Sequence, residues 1–290
     1  INIGNRTALT PNGALLSTSS SSDSLGSYHC ILRASNDHGA SWRTVNDIQF
    51  FSGKNTNCSN PIINSVSDFL LPVTYSDAGG VSHWAVMRSR DNGASFSVID
   101  DYQYPGGSST GINGMAVDSN NTLYVAGNAI DGTGFYRGIL RVSRDSGSTW
   151  STALDFQYTS GHNTFFDGTG VIVTRDNSIY VNVEGRDSTN LRHFIILKST
   201  DQARTWSTID DYSNGTYGAY AYNMWPGMDS NNSIFVAGVD FDSGGHWNGL
   251  VRTNVSGSFT NSDIFELSPT QYTQFASIMN DSQGNLYVIG

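Results

Sequence analysis

Positive charge is scarce in this chain. Lys and Arg together number 15 against 25 Asp and Glu, which gives a formal net charge of −10 over 290 residues. Such a surface repels phosphate backbones and anionic headgroups, so neither a nucleic-acid nor an anionic-membrane partner is expected. Neutral or cationic ligands are easier to accommodate. Charged residues of either sign make up only 14%. No apolar run is long enough to span a bilayer, and no signal-peptide pattern opens the chain, which reads as a mature form or an excised domain. Cysteine occurs only as Cys30 and Cys58, so there is no Cys/His cluster of the kind that holds a metal, and no metal or cofactor is expected. Whether the two cysteines are bonded stays open at this level. Glutamate is the scarcer acid: Glu184 is one of only two.

Glycine, by contrast, is plentiful at 31, alongside abundant Ser, Thr and Asn. That composition suits many short strands joined by polar turns, and the chain is long enough to bury a core as one all-β unit. One octapeptide sets its organisation. Ser143-Arg144-Asp145-Ser146-Gly147-Ser148-Thr149-Trp150 has the form S-x-D-x-G-x-T-W and recurs at Ser35–Trp42, at Ser89–Phe96 and, with Ala203 in the glycine place, at Ser199–Trp206. A shortened copy ends at Phe259. The closing aromatics Trp42, Phe96, Trp150, Trp206 and Phe259 stand 54, 54, 56 and 53 residues apart, and a fixed period near fifty is the signature of a repeat architecture. The octapeptide suits a tight turn between antiparallel strands, its Asp accepting backbone N–H groups and its Gly taking positive φ.

These residues resemble the Asp-box, or BNR repeat, of sialidases and several other β-propeller families. The resemblance implies that Asp37, Asp91, Asp145 and Asp201 are structural and lie on the face away from the ligand site. Each repeat divides into four strands, A to D. The third is the clearest, with strand A at 114–117, strand B at 122–127, strand C at 138–143 and strand D ending near 155–157. The repeats run at about 1–56, 57–110, 111–165, 166–221 and 222–275, with a partial copy at 276–290. Units that cannot cover both faces alone close radially. The expectation is therefore a single-domain β-propeller of four-stranded antiparallel blades, six-bladed with an incomplete last blade, or alternatively five-bladed.

The repeat supplies an internal control. A residue that recurs in one slot serves the fold, and a residue that breaks the pattern on the face of the D–A and B–C loops is a better functional candidate. Asp23, Asp77, Asp131, Asp187 and Asp242 recur as turn residues. So do Arg33, Arg88, Arg141, Lys198 and Arg252, as scaffold before each turn. His29, His83, His193 and His246 open strand C, with Cys30, Trp84, Phe194 and Trp247 beside them. They form either a structural step between blades or a ring of sugar sites, in which an aromatic face stacks on a sugar and the imidazole bonds its hydroxyls. The exceptions are Arg6 and Trp225 at the start of strand A, Glu184 and Arg186 after strand B, and the aromatics Tyr217, Tyr220 and Tyr222 just before Trp225.

Arg6-Thr7-Ala8-Leu9 followed by Gly13-Ala14-Leu15-Leu16 resembles the first blade of sialidases. By that match Arg6 stands in the place of a carboxylate-binding arginine and Asp23 near the acid/base aspartate, while Glu184 with Arg186 is the alternative catalytic group. Ala8 replaces the family's proline, and Ser20 and Ser21 stand where its second arginine is expected. The resulting expectation is a non-catalytic, secreted or cell-surface recognition module of lectin or adhesin type. It would bind a glycan through Arg6, Tyr220, Tyr222 and Trp225 centrally, and through His83, Trp84, His246 and Trp247 peripherally. A sialidase-like exo-glycosidase and a protein-interaction scaffold are the alternatives.

Overall fold

A computed structural model describes residues 7–215, 217–220, 227–268, 272–275, 277–281 and 285–290, and no helix occurs among them. The strands follow the repeat. The first copy forms β1 (Thr7–Leu9), β2 (Leu15–Ser22), β3 (Tyr28–Ser35) and β4 (Arg43–Ile48), an antiparallel sheet in that order. In the second, β5 (Thr56–Cys58) and β6 (Ile62–Ile63) both pair with β7 (Phe69–Ser76), which is followed by β8 (Ser82–Ser89) and β9 (Ser97–Tyr102). The third contains β10 (Ser109–Val117), β11 (Leu123–Ile130), β12 (Tyr136–Ser143) and β13 (Ser151–Phe156). The fourth is the sheet β14 (Thr164–Val173), β15 (Ile179–Arg186), β16 (Arg192–Ser199) and β17 (Ser207–Tyr212). In the fifth, β18 (Ala219–Tyr220) and β19 (Gly227–Met228) share β20 (Ile234–Phe241), next to β21 (Trp247–Thr253) and β22 (Thr260–Phe265). The strands β23 (Ser277–Asn280) and β24 (Leu286–Ile289) form a two-stranded sheet. The chain packs as two compact units, Ile1–Gly134 with Arg141–Thr152 and Phe135–Leu140 with Ala153–Gly290.

The inner strands read as nearly continuous apolar runs because both of their faces are covered. Seven of the eight residues of β15 are buried, as are Phe194, Ile195, Ile196 and Leu197 of β16. One apolar cluster joins β2 and β3 to β7 and β8 through Leu16, Leu32, Leu71 and Val73. Another joins β15–β17 to β18–β21 through Tyr180, Phe194, Ile196, Val236 and Leu250. Cys30 and Cys58 are disulfide-bonded and buried, which ties β3 to β5.

The aspartate turns owe their shape to hydrogen bonding. In the first, His38 and Gly39 take φ of 58° and 92°, and Ala40 N donates to Asp37 O at 3.2 Å. Two successive positive φ values are what a two-residue hairpin turn of the primed type requires. The Asp37 carboxylate accepts from Ser41 Oγ at 2.5 Å, Ser41 N at 2.8 Å and Ser35 Oγ at 2.7 Å. Asp91 and Asp145 are held in the same way, by Ser95 and Thr149 respectively. The fourth turn keeps the geometry without glycine: Ala203 sits at φ 62°, and its N–H donates to Ser199 Oγ at 3.0 Å.

The recurring cation of strand C fastens neighbouring sheets. Arg141 donates from Nε and Nη2 to the two Asp100 carboxylate oxygens, both at 2.7 Å, and Arg252 does the same to Asp210 at 2.6 Å. Both pairs are largely buried, where a planar guanidinium fork meeting a carboxylate is the geometry that offsets desolvation. In the register slot of Arg252 the second and fourth sheets carry Met87 and Leu197, and Asn46 and Leu154 stand where the acidic partner would be. Arg88 and Lys198 lie one residue later and face other groups. Arg88 reaches Ser146 O and Asp68, and Lys198 lies 5.2 Å over the Tyr180 ring.

Candidate functional site

The recurring histidines are clasped by carboxylates. His29 Nδ1 meets Asp47 at 2.7 Å and its Nε2 lies 3.5 Å from Asp23. His193 is held alike, by Asp211 at 2.7 Å and Asp187 at 3.6 Å, and His83 lies 3.5 Å from both Asp77 and Asp101. In the third repeat Arg137 takes the place, with Nε 2.6 Å from Asp155. The bond from Asp47 is the main reason the His29 pKa is raised. Asp23 in turn accepts the backbone N–H groups of Leu25 and Ser27, and the Ser27 bond chiefly lowers its pKa. The geometry of Asp23 is thus that of a turn residue shared by the repeats. It has no feature of its own that marks an acid/base group.

A phenol completes this cluster from two different positions. Tyr75, on strand B, donates to both Asp101 oxygens at 2.9 Å and stacks on His83. In the fourth repeat the matching residue is Gly185, and Tyr158 from the preceding loop fills the space, donating to Asp211 at 2.9 Å. A Cβ on Gly185 would lie 2.7 Å from Tyr158 Cγ. His83 is therefore part of a packed stack. Trp84 is wholly buried, packed against Tyr102 at 4.9 Å, and a Cβ on Gly127 would come within 2.5 Å of its ring. A ring with no accessible face cannot stack on a sugar, so the expectation of a peripheral ligand contact at Trp84 is corrected to one of packing.

The fourth and fifth repeats place a different set of groups together. Glu184 stands on β15 opposite Phe165 and Phe194 and is buried. Its Oε1 lies 3.6 Å from Arg186 Nη2 and 3.5 Å from Arg192 Nε. Arg186 and Arg192 face each other across the β15–β16 ladder, which is why two cations reach one carboxylate. Burial pushes the Glu184 pKa up, and Arg192 and Arg186 oppose that shift. Arg186 Nη1 also donates to Asn190 Oδ1 at 3.2 Å.

Beside this cluster lies a groove of about 270 Å³ lined by Asn190, Leu191, Arg192, Tyr217, Phe241 and Trp247. The loop carrying Tyr217 is pinned from both sides. Asn214 Nδ2 donates to Phe241 O at 2.9 Å, and Phe241 N donates to Gly218 O at 3.3 Å. Gly218 takes φ 83°, and a Cβ there would sit 3.0 Å from Arg192 O, so only glycine lets the loop approach this closely. The Arg192 guanidinium lies 5.8 Å over the Phe241 ring. Trp247 packs edge-on to Phe241 at 6.3 Å and to Tyr272 at 5.3 Å, while His246 Nδ1 meets Asp242 at 3.0 Å. Tyr217 and Tyr272 are exposed.

Of the sites expected from sequence, Trp247 lines this groove and His246 stands beside it in the Asp242 turn. Glu184 and Arg186 come together, and Arg192 joins them. Tyr220 is placed in β18 opposite Val239, and its side chain, together with Arg6, Tyr222 and Trp225, lies outside the described residues. The additional members are Phe241, Tyr272 and Arg192. Phe241 was detectable as the residue that occupies the repeat slot of Arg186. Nothing in the repeat marks Tyr272, which comes from a loop.

No protein-family model matches this chain, and no curated protein does. Solved structures do. A Hadza microbial sialidase superposes with a TM-score of 0.58 at 14% identity, over 93% of this chain and 60% of that one. An α-L-arabinanase of Penicillium chrysogenum complexed with arabinobiose gives 0.59 at 15% identity, over 99% and 89%. A Trypanosoma rangeli sialidase bound to the inhibitor DANA gives 0.57 at 13%, over 98% of this chain and 52% of its own length. The chain thus spans only about half to three-fifths of the sialidases it resembles. At such identities the likeness concerns the fold, which is a β-propeller of the sialidase and arabinanase kind.

Proposed function

We propose that this chain is a carbohydrate-recognition propeller and that the groove formed by Arg192, Tyr217, Phe241 and Trp247 is its binding site. The carrying observation is the composition of that groove: three aromatic side chains, one guanidinium and one amide, with no carboxylate among its lining residues. Aromatic rings stack on the apolar faces of sugars, while Asn190 and Arg192 supply donors to ring hydroxyls. Glu184 then serves as a buried counter-charge that orients Arg192. Glycoside hydrolysis needs two acidic or nucleophilic groups about the scissile bond, and a single carboxylate already engaged by two arginines does not provide that pair. The Asp-box reading of the turns and the carbohydrate ligands of the similar propellers support the same assignment. So does the Cys30–Cys58 disulfide, which suits an oxidising, extracytoplasmic location and a glycoconjugate of a cell or matrix surface as partner.

A glycan array, followed by calorimetry on the strongest ligand, tests this. Trp247→Ala is expected to weaken binding about tenfold or more, with the fold unchanged by circular dichroism. An array with no signal above background would count decisively against the reading.

A sialidase-like glycoside hydrolase is the second reading, favoured by the buried Glu184 with its raised pKa between two arginines. Fluorogenic sialosides and arabinosides distinguish the two. Turnover abolished by Glu184→Gln would establish the enzyme, and turnover at the uncatalysed rate would leave the binding module.

A further inference from the structure

Across the fourth sheet from the aromatic groove lies a second aromatic step. Tyr136, Arg192 and Trp247 each open the third strand of their sheet, β12, β16 and β21. Arg192 and Trp247 line the groove. The Tyr136 ring lies 4.6 Å from that of Phe165 in β14, tilted by 39°. Tyr136 is exposed and Phe165 half-buried. Tyr136 is also tied to the chain just before β14, since its backbone N–H donates to Asn163 Oδ1 at 3.0 Å. The first repeat offers a control. There Tyr28 N donates to Asn55 Oδ1 at 2.9 Å in the same way, but Asn57, opposite Thr74, stands where Phe165 stands opposite Glu184. The hydrogen bond therefore belongs to the repeat, and the aromatic pair is an addition to it.

The ladder of the fourth sheet fixes how this step stands to the groove. Phe165 is opposite Glu184, and Arg186, two residues further on, is opposite Arg192. Directly opposed residues of an antiparallel pair project to one side of the sheet. Phe165, Glu184 and the two arginines therefore share a surface with the wall of the groove. Phe165 and Arg192 are two strands and two residues apart, roughly 12 Å at ordinary strand spacing and rise. A single sugar ring cannot touch both, whereas a chain of sugars can. The stretch between them is polar, with Arg186 and Asn190 joined at 3.2 Å, and guanidinium and amide N–H groups donate to hydroxyls. The charge of the occupant follows from Glu184. Both arginines lie within 3.6 Å of its carboxylate, so the surface offers donors with little net positive charge, on a chain of net charge −10.

We propose, resting on the reading of the groove as a sugar site, that its ligand is an uncharged, extended oligosaccharide. The chain runs from Tyr136 and Phe165, past Arg186, to Tyr217 and Trp247. Tyr136 is a second subsite, whose exposed ring stacks on one unit while Trp247 holds another. Affinity then grows with chain length until both aromatic ends are engaged.

The test uses the whole chain on arrays printed with arabino-, xylo-, manno- and gluco-oligosaccharides, each from the monosaccharide to the hexasaccharide, beside carboxylated and sulfated glycans. Signal is expected on an uncharged series and should rise steeply with its length. In calorimetry with the best hexasaccharide, Tyr136→Ala should weaken binding about tenfold and leave the disaccharide of the same series unaffected. Phe165→Leu, which keeps apolar volume without a ring, should reproduce part of that loss, and Tyr136→Phe should retain the affinity. Tyr28→Ala controls for the loss of an exposed tyrosine and should change neither ligand. Monosaccharides that bind as tightly as hexasaccharides would overturn the second subsite and leave the groove standing. So would Tyr136→Ala acting on short and long ligands alike, or on neither. Binding confined to carboxylated or sulfated glycans would overturn the uncharged class. Silence across the whole array would instead overturn the sugar reading of the groove, and the extended ligand with it.

Discussion

At the residue scale, the aspartates of the turns are spent on geometry. Asp37, Asp91 and Asp145 have pKa values lowered to about 2, first of all by the hydroxyl of Ser41, Ser95 or Thr149. A carboxylate whose folded pKa is depressed contributes stability that is complete above its unfolded pKa near 3.9 and is lost as pH falls through the folded value. The unfolding midpoint is therefore expected to be level above about pH 5 and to drop between about pH 4 and 2. Scanning calorimetry across that range checks it, and Asp145→Asn should flatten part of the drop. Gly127 is a second single-residue constraint. A Cβ there would lie 2.1 Å from Gly111 O and 2.5 Å from the Trp84 ring, so backbone as well as side chain would have to move. Gly127→Ala is expected to destabilise by about 2–3 kcal/mol in urea unfolding, the usual range for overpacking.

At the element scale, the repeats are fastened by a few long-range ties. The disulfide closes a span of 28 residues between β3 and β5. On the chain-entropy model its removal costs about 3.5 kcal/mol, which the paired change of Cys30 and Cys58 to Ala should show as a lower urea midpoint. The Arg141–Asp100 clamp should respond asymmetrically. Arg141→Ala leaves a buried carboxylate uncompensated and is expected to cost about 3–5 kcal/mol, whereas Arg141→Met with Asp100→Leu should cost much less. A double-mutant cycle measures the difference, and simple additivity would show that the pair is not the unit of stability.

At the scale of the whole molecule, charge and fold point the same way. A net charge of −10 with a pI near 4.8 belongs to a protein that avoids polyanions. The chain is expected to pass through a heparin column at low salt and to be retained by an anion exchanger. Retention on heparin would revise the ligand class. The guanidinium groups of Arg186 and Arg192 are a local exception, paired to Glu184 inside the sheet and opening beside an aromatic groove.

The all-β class and the recurrence of the aspartate turns were legible in the sequence. A period of 53 to 56 residues is a one-dimensional property, and each turn is built from groups within eight residues of one another. The strands proved longer than the pattern alone suggested, Ser109–Val117 against 114–117 for example, because ladder pairing extends an edge beyond its apolar positions. Glu184 was legible as an exception, but its environment was not, since Arg192 reaches it only through the β15–β16 register. Trp84 and Trp247 occupy the same repeat slot, yet one is buried against Tyr102 and the other walls a groove. That difference rests on what the neighbouring sheet and loops bring: Gly127 opens space for the Trp84 ring, while Gly218 and Phe241 hold Tyr217 across from Trp247. The local order of residues thus determined the repeat and its turns, because their bonds are short-range. Only the tertiary structure decided which copy became core and which lines a groove, because that choice depends on groups that neighbouring strands and loops bring together.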